Sequence, residues 1–140
     1  RKVGAKQEMR RMYINGPVGQ IHVQETGNRD GTPLLFCHQA SDSSWQIRHA
    51  APLLVAKGFW VIAPDMPGQG LSDEPPEGSL IPDLMPSYIA VLDFFAVESC
   101  HVLGHHTGCG VASELAVQFP NRVNRLALVG TPAWAEQELK

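Results

Sequence analysis

The order of residues predicts an α/β fold: a mostly parallel sheet with helices on both faces, entered through an N-terminal β-hairpin. Three observations predict it. Residues 34–37 and 59–63 are unbroken apolar runs, and 100–103 is a third short run of the same kind, as strands covered on both faces require. Between the runs, apolar residues recur at helical spacing, as in Tyr88, Leu92 and Phe95. Glycine and proline mark the transitions, as in Lys57-Gly58, Pro64-Asp65 and Gly130-Thr131-Pro132. Strands and helices that alternate in this way build βαβ units, whose sites lie at the carboxyl ends of the strands.

Residues 12–14 and 20–25 alternate in polarity, and Asn15-Gly16-Pro17 between them carries turn chemistry, which gives the hairpin. Residues 27–32 make a second turn, 34–37 the first buried strand and 38–42 the loop after it. Ser43 or Ser44 caps a helix that runs to about Ala56, bends at Pro52 and stops at Lys57-Gly58. The strand 59–63 follows and closes at Pro64-Asp65. Pro67, Gly68 and Gly70 make 66–76 a loop, and 82–97 reads as a helix. After the strand 100–103, Val111, Leu115 and Phe119, with Ala112 and Ala116 beside them, form the apolar stripe of the next helix. Pro120-Asn121 ends that helix and 123–129 is the last strand. The expected helices run to about 12–16 residues.

The chain has 140 residues, of which 44% are apolar and 18% charged, the composition of one ordinary globular core. A domain of this size buries roughly two-thirds of its unfolded surface, so its stability calls for neither disulfides nor a structural metal. Eleven Lys plus Arg against fourteen Asp plus Glu give a net charge of −3 with no basic block, which argues against nucleic acid as a partner. No run approaches the roughly 18 apolar residues of a membrane span, and the basic residues of 1–11 precede no apolar targeting core. The expectation is a soluble, cytoplasmic protein with no membrane partner. Cys37, Cys100 and Cys109 are an odd number without zinc-site spacing and read as small buried hydrophobes.

The stretch Gly104-His105-His106-Thr107-Gly108 takes a buried strand into an amphipathic helix. Small residues at both ends of such a turn permit a sharp bend that lifts the central residue, here His106, above the sheet. At this point the chain resembles the α/β-hydrolase fold, whose nucleophile elbow reads Gly-x-Ser-x-Gly. The resemblance runs over nearly the whole chain. It includes Leu34-Leu35-Phe36-Cys37-His38, the 123–132 stretch, and most specifically Val61-Ile62-Ala63-Pro64-Asp65-Met66-Pro67-Gly68-Gln69-Gly70-Leu71-Ser72-Asp73. It implies a three-layer sandwich cut after the sixth strand of the family sheet. Two departures set the chain apart as a subgroup with His in place of the elbow serine. Gln39 follows His38 where the family usually has His-Gly, and His106 stands where it usually has Ser, Asp or Cys.

Imidazole is a competent nucleophile and general base near neutral pH, so His106 is the candidate catalytic residue, acting on a carbonyl carbon or on water. The resemblance implies an oxyanion hole formed by the backbone N–H groups of Thr107 and Ala40, at the positive N-terminal end of the following helix. His38, Gln39 and His105 are the expected pocket residues, with His38 also supporting the oxyanion loop and Asp65 anchoring the 66–70 loop. His22, His49 and His101 show no ligand spacing and read as surface or satisfied strand positions. No carboxylate is spaced to join His38, His105 and His106 around a metal, and no cofactor is expected.

Two readings stay open: a hydrolase of an ester, amide or related carbonyl compound, and a binding protein that has kept the pocket and lost the nucleophile. The family pattern places a lid, the catalytic acid and the catalytic His after the sixth strand, and the chain begins at Arg1 without an initiator Met. Residues 1–140 are therefore expected to be a single partial domain, the N-terminal half, inactive by itself and with a small-molecule substrate in its complete form. Its last strand is expected to be an open edge with Leu126, Leu128 and Val129 exposed, Trp134 folded over part of the gap, and self-association or marginal stability as the result.

Overall fold

The chain reverses between two strands at Pro17-Val18, at the end of the expected Asn15-Gly16-Pro17 turn, whose first two residues belong to the strand before it. A computed structural model of the protein describes residues 8–132, and in it β1 (Arg10–Gly16) pairs antiparallel with β2 (Gly19–Thr26). The apolar runs become β3 (Thr32–Cys37), β4 (Phe59–Pro64), β5 (Cys100–His105) and β6 (Val123–Val129). The six strands lie in the order β1-β2-β4-β3-β5-β6. β4, β3, β5 and β6 are parallel neighbours, and β2 joins them antiparallel to β4.

The pleat divides each run between two faces. Leu35, Cys37, Trp60, Ile62, Cys100 and Val102 face one way, onto Tyr88, Val91 and Leu92 of α2 (Met85–Phe94) and Val111, Ala112 and Leu115 of α3 (Gly108–Gln118). Leu34, Phe36, Val61 and Ala63 face the other way, onto Ile47 and onto Ala51 of α1 (Ala51–Ala56). This is the expected three-layer sandwich. Complete burial of Leu35, Ile62, Val91, Leu92 and Leu115 contributes about 1.5–3 kcal/mol for each side chain. Burial also pushes the Cys37 thiol up, and that of Cys100 up to about 11.

The helices are shorter than their apolar patterns predict. The helix expected from Ser43 to Ala56 is two pieces, a 3₁₀ turn over Ser44–His49 with Ser43 Oγ accepting from Trp45 N–H, and then α1. Pro52 does not bend a continuous helix; it lies in the first turn of a new one, where its missing N–H leaves no hydrogen bond broken. The helix expected over 82–97 is likewise a 3₁₀ turn, Ile81–Leu84, followed by α2. It closes at Ala96, whose φ of +54° is left-handed, with Val97 N–H donating to Leu92 O and Ala96 N–H to Asp93 O.

One buried charge ties the hairpin to the sheet. The fully buried Glu25 carboxylate accepts from Arg10, Arg29 and the Trp60 indole N–H. Burial pushes this carboxyl up, but the hydrogen bonds from Arg10, Arg29 and Trp60 outweigh it and bring it down to about 2. At the other edge β6 exposes Leu126, Leu128 and Val129 by 39%, 41% and 52%. Trp134 lies outside the described residues. Among the described residues, no helix is long and apolar enough to cross a membrane.

Candidate active site

The turn between β5 and α3 is built by exclusion. A Cβ on Gly108 would lie 2.1 Å from the Cys37 carbonyl oxygen and 2.7 Å from that of His38, so only glycine lets α3 approach the end of β3. A Cβ on Gly104 would lie 2.7 Å from Gly108 O and 2.9 Å from Ala112 Cβ. Both glycines serve close approach. The backbone bend falls on His106, at φ +51°, with its N–H donating to Val129 O at 2.9 Å. A left-handed residue other than glycine, held by its neighbours, lifts its side chain out of the strand. His106 is exposed and lines a cleft of about 410 Å³ with Ile81, Thr107, Cys109, Ser113 and Thr131.

Two loops, one after β3 and one after β4, meet beside this turn. His38, 1% exposed, donates from Nδ1 to Gln39 O at 2.7 Å and accepts at Nε2 from Met66 N–H at 2.9 Å, which defines a neutral tautomer. Burial pushes its pKa below the ordinary histidine value. Asp65 accepts from Ser44 N–H, Leu71 N–H and His22 Nδ1 at 2.7–2.9 Å. Burial raises its carboxyl, and these bonds outweigh the burial and keep it below the usual value. Gly70, at φ +54°, has no room for a Cβ, which would lie 2.2 Å from Asp65 Oδ2. The anchoring roles expected of His38 and Asp65 are thus present. Gln69, held by this loop, accepts Ser41 N–H at 3.0 Å, where Ser41 itself is at φ +63°.

His38, Gln39 and His105 are not among the described residues that line the cleft at His106. His38 is turned inward by its two hydrogen bonds, while the pleat of β5 points His105 to the α1 side, its Nδ1 3.1 Å from Gln46 Oε1. Gln46 Oε1 also accepts Gln39 N–H at 3.3 Å. Ala40 N–H, the second expected oxyanion donor, donates to Thr107 Oγ1. Thr107 N–H, at the start of α3, has no acceptor among the described residues. Among those residues no group of three His, Cys, Asp or Glu could hold a metal.

His22 is buried and bonded to Asp65, and His49 is exposed, both within expectation. His101 departs from it, because its buried Nδ1 has no partner among the described residues. Ile81, Cys109 and Ser113 were not read from the sequence as site residues. The last two follow the turn at helical spacing from His106 and Gly110, a signal that points at the cleft only once the bend is known.

Residues 32–140 match the family model described as alpha/beta hydrolase fold. Over 114 residues, 80% of this chain and 34% of the relative, the chain is 32% identical to an epoxide hydrolase of Caballeronia sordidicola. It is 34% identical over 104 residues to the 2-hydroxymuconate semialdehyde hydrolase of Pseudomonas sp. (strain CF600), covering 72% of this chain and 37% of that one. Among solved structures, epoxide hydrolase A from Mycobacterium thermoresistibile superposes with a TM-score of 0.77 at 29% identity, covering 88% of this chain and 39% of that one. The chain spans about a third of the length of these curated relatives.

Proposed function

The chain belongs to the α/β-hydrolase fold family, and from that premise we propose that it is the N-terminal part of a hydrolase acting on an ester, amide or related carbonyl substrate. His106 stands in the nucleophile's place and marks a subgroup of the fold. The observation that carries this reading is the position of His106: left-handed at the tip of the β5–α3 turn, exposed in a cleft of about 410 Å³, beside a Thr107 N–H that has no acceptor among the described residues. As nucleophile, an imidazole nitrogen of His106 adds its lone pair to the carbonyl carbon while the C=O π pair moves onto oxygen. Thr107 N–H and the N-terminal end of α3 stabilise that oxyanion. Collapse expels the alcohol or amine, which takes up a proton, and water then hydrolyses the acyl-imidazole. As a base, the same nitrogen takes a proton from water while the hydroxide adds to the carbonyl carbon, and the tetrahedral intermediate then expels the alcohol or amine, which takes up the proton held by His106. Mass spectrometry of a quenched reaction separates the two routes, since only the first leaves an acyl group on His106.

The test is hydrolysis of short-chain p-nitrophenyl esters by the full-length protein that carries this chain. His106→Ala is expected to lower kcat by about three orders of magnitude or more if His106 is the nucleophile, by analogy with the loss of a triad member. An unchanged rate removes His106 from the mechanism. One observation favours a second reading, a binding protein without catalysis: Ala40 N–H is already engaged by Thr107 Oγ1. A ligand bound by the protein and recovered intact after long incubation supports that reading, and ester turnover abolished by His106→Ala excludes it.

A further inference from the structure

Granted the hydrolytic reading above, we infer that the second donor to the substrate oxyanion is the Thr107 side-chain hydroxyl, polarised by Ala40 N–H. The loop after β3, the expected source of that donor, has none free at 39–41. Gln39 N–H donates to Gln46 Oε1, Ala40 N–H to Thr107 Oγ1 and Ser41 N–H to Gln69 Oε1. The loop is further fixed by His38, which bridges Gln39 O and Met66 N–H. Releasing Ala40 N–H toward a substrate would leave Thr107 Oγ1 without its donor, in a loop pinned on both sides.

The hydroxyl is free to act. A threonine oxygen has two lone pairs and one O–H, and acceptance from Ala40 N–H uses one lone pair only. No acceptor for the O–H is present among the described residues, and Thr107 borders the cleft beside His106. A hydroxyl that accepts from an N–H becomes a better donor, because hydrogen bonds in a chain polarise one another. One residue then offers two hydrogens, its own N–H and its O–H, to an oxygen forming beside His106. The residue after the tip is Thr, the one-oxygen side chain that joins Ala40 to the cleft.

The experiment compares Thr107→Ser and Thr107→Val in the full-length protein, by p-nitrophenyl acetate hydrolysis and by binding of phenylboronic acid. The boronic acid becomes tetrahedral, with negative charge on the borate, when hydroxide adds to boron, and becomes a tetrahedral zwitterion, borate and imidazolium, when the lone pair of His106 adds. Valine keeps the shape, removes the O–H and frees Ala40 N–H. The expected result is a fall in kcat of about 10²-fold or more with KM little changed, the size of one lost oxyanion donor, and weaker boronate binding. Serine restores both to within a few-fold. Faster turnover or tighter boronate binding in Thr107→Val would mean that Ala40 N–H is the donor and the hydroxyl merely covers it, and overturns the inference. Equal values in all three proteins also overturn it. A wild-type protein that neither hydrolyses the ester nor binds the boronate fails the hydrolytic reading itself, a different outcome from a wild type that does both while Thr107→Val matches it. Melting temperatures of the variants separate a lost donor from a lost fold.

Discussion

Gly108 and Gly110 lie two residues apart, on nearly opposite faces of α3, and tolerate a methyl group very differently. A Cβ on Gly108 collides with backbone carbonyls of β3 and its loop, which cannot yield as a side chain would, whereas one on Gly110 meets only Ile81 Cδ1, at 3.5 Å. Gly108→Ala is therefore expected to destabilise by several kcal/mol, with an estimate of about 3 kcal/mol or more. Gly110→Ala, in the first turn of α3, is expected to be neutral or stabilising by about 0.5–1 kcal/mol. Urea unfolding of both variants checks the contrast, and equal losses would show that the turn is not held by close approach. The spacing Gly104-x-His106-x-Gly108 could be read from sequence because the demand is local: both glycines and the tip belong to one turn. The bond from Ala40 N–H to Thr107 Oγ1 could not, because 67 positions separate the partners and nothing in either neighbourhood announces the other. For the same reason His38 and His105 were legible as residues near the site and not as residues turned away from its cleft.

All six strands were legible, β3, β4 and β5 because burial on two faces leaves a short apolar run, β1 and β2 because polarity alternates on either side of a turn, and β6 from the turn signals that bound it, and their bounds moved by only a few residues. Helix lengths were not. A 3₁₀ turn shows apolar residues three apart much as an α-helix does, so Ser44–His49 and Ile81–Leu84 merge with the helices that follow them. Pro52, Pro82 and Pro86 carry the information about where each piece begins, but a proline in a first turn and a proline at a kink look alike in sequence. The end of α2 was missed because its left-handed closing residue is Ala96, where glycine is the usual signal. An L residue in that conformation costs roughly 1–2 kcal/mol against glycine, partly offset by glycine's greater freedom when unfolded. Ala96→Gly is thus expected to raise stability by about 1 kcal/mol in urea unfolding. Ala90→Gly, in the body of the same helix, is expected to lower it by about as much.

Three buried groups, His38, Glu25 and Asp65, give the whole molecule an acid-sensitive stability, and the first two set separate pH windows. The folded pKa of His38 lies below the ordinary value of about 6.5, so the unfolded chain binds the proton first and stability declines as pH falls below that value. Glu25 adds a second decline from the ordinary glutamate value of about 4.3. That decline runs down to its folded value of about 2. Unfolding free energy measured by urea from pH 8 to 3 is expected to fall in both windows, and Glu25→Gln is expected to flatten the lower one. The two edges of the sheet are protected unequally. β1 presents Arg10 and Arg11 and leads into a turn with Pro17, features that discourage a further strand. On β6, Leu126, Leu128 and Val129 are 39%, 41% and 52% exposed and no strand pairs with its outer side among the described residues. An edge with unpaired backbone groups and apolar side chains is a template for another copy of itself, so the isolated 140-residue chain is expected to self-associate through β6. Size-exclusion chromatography with light scattering at tens of micromolar should give a mass above that of one chain. Leu128→Lys, which places a charge on the edge, should shift it toward the monomer. A wild-type chain that elutes as a monomer and melts cooperatively would show instead that β6 is not an associating edge.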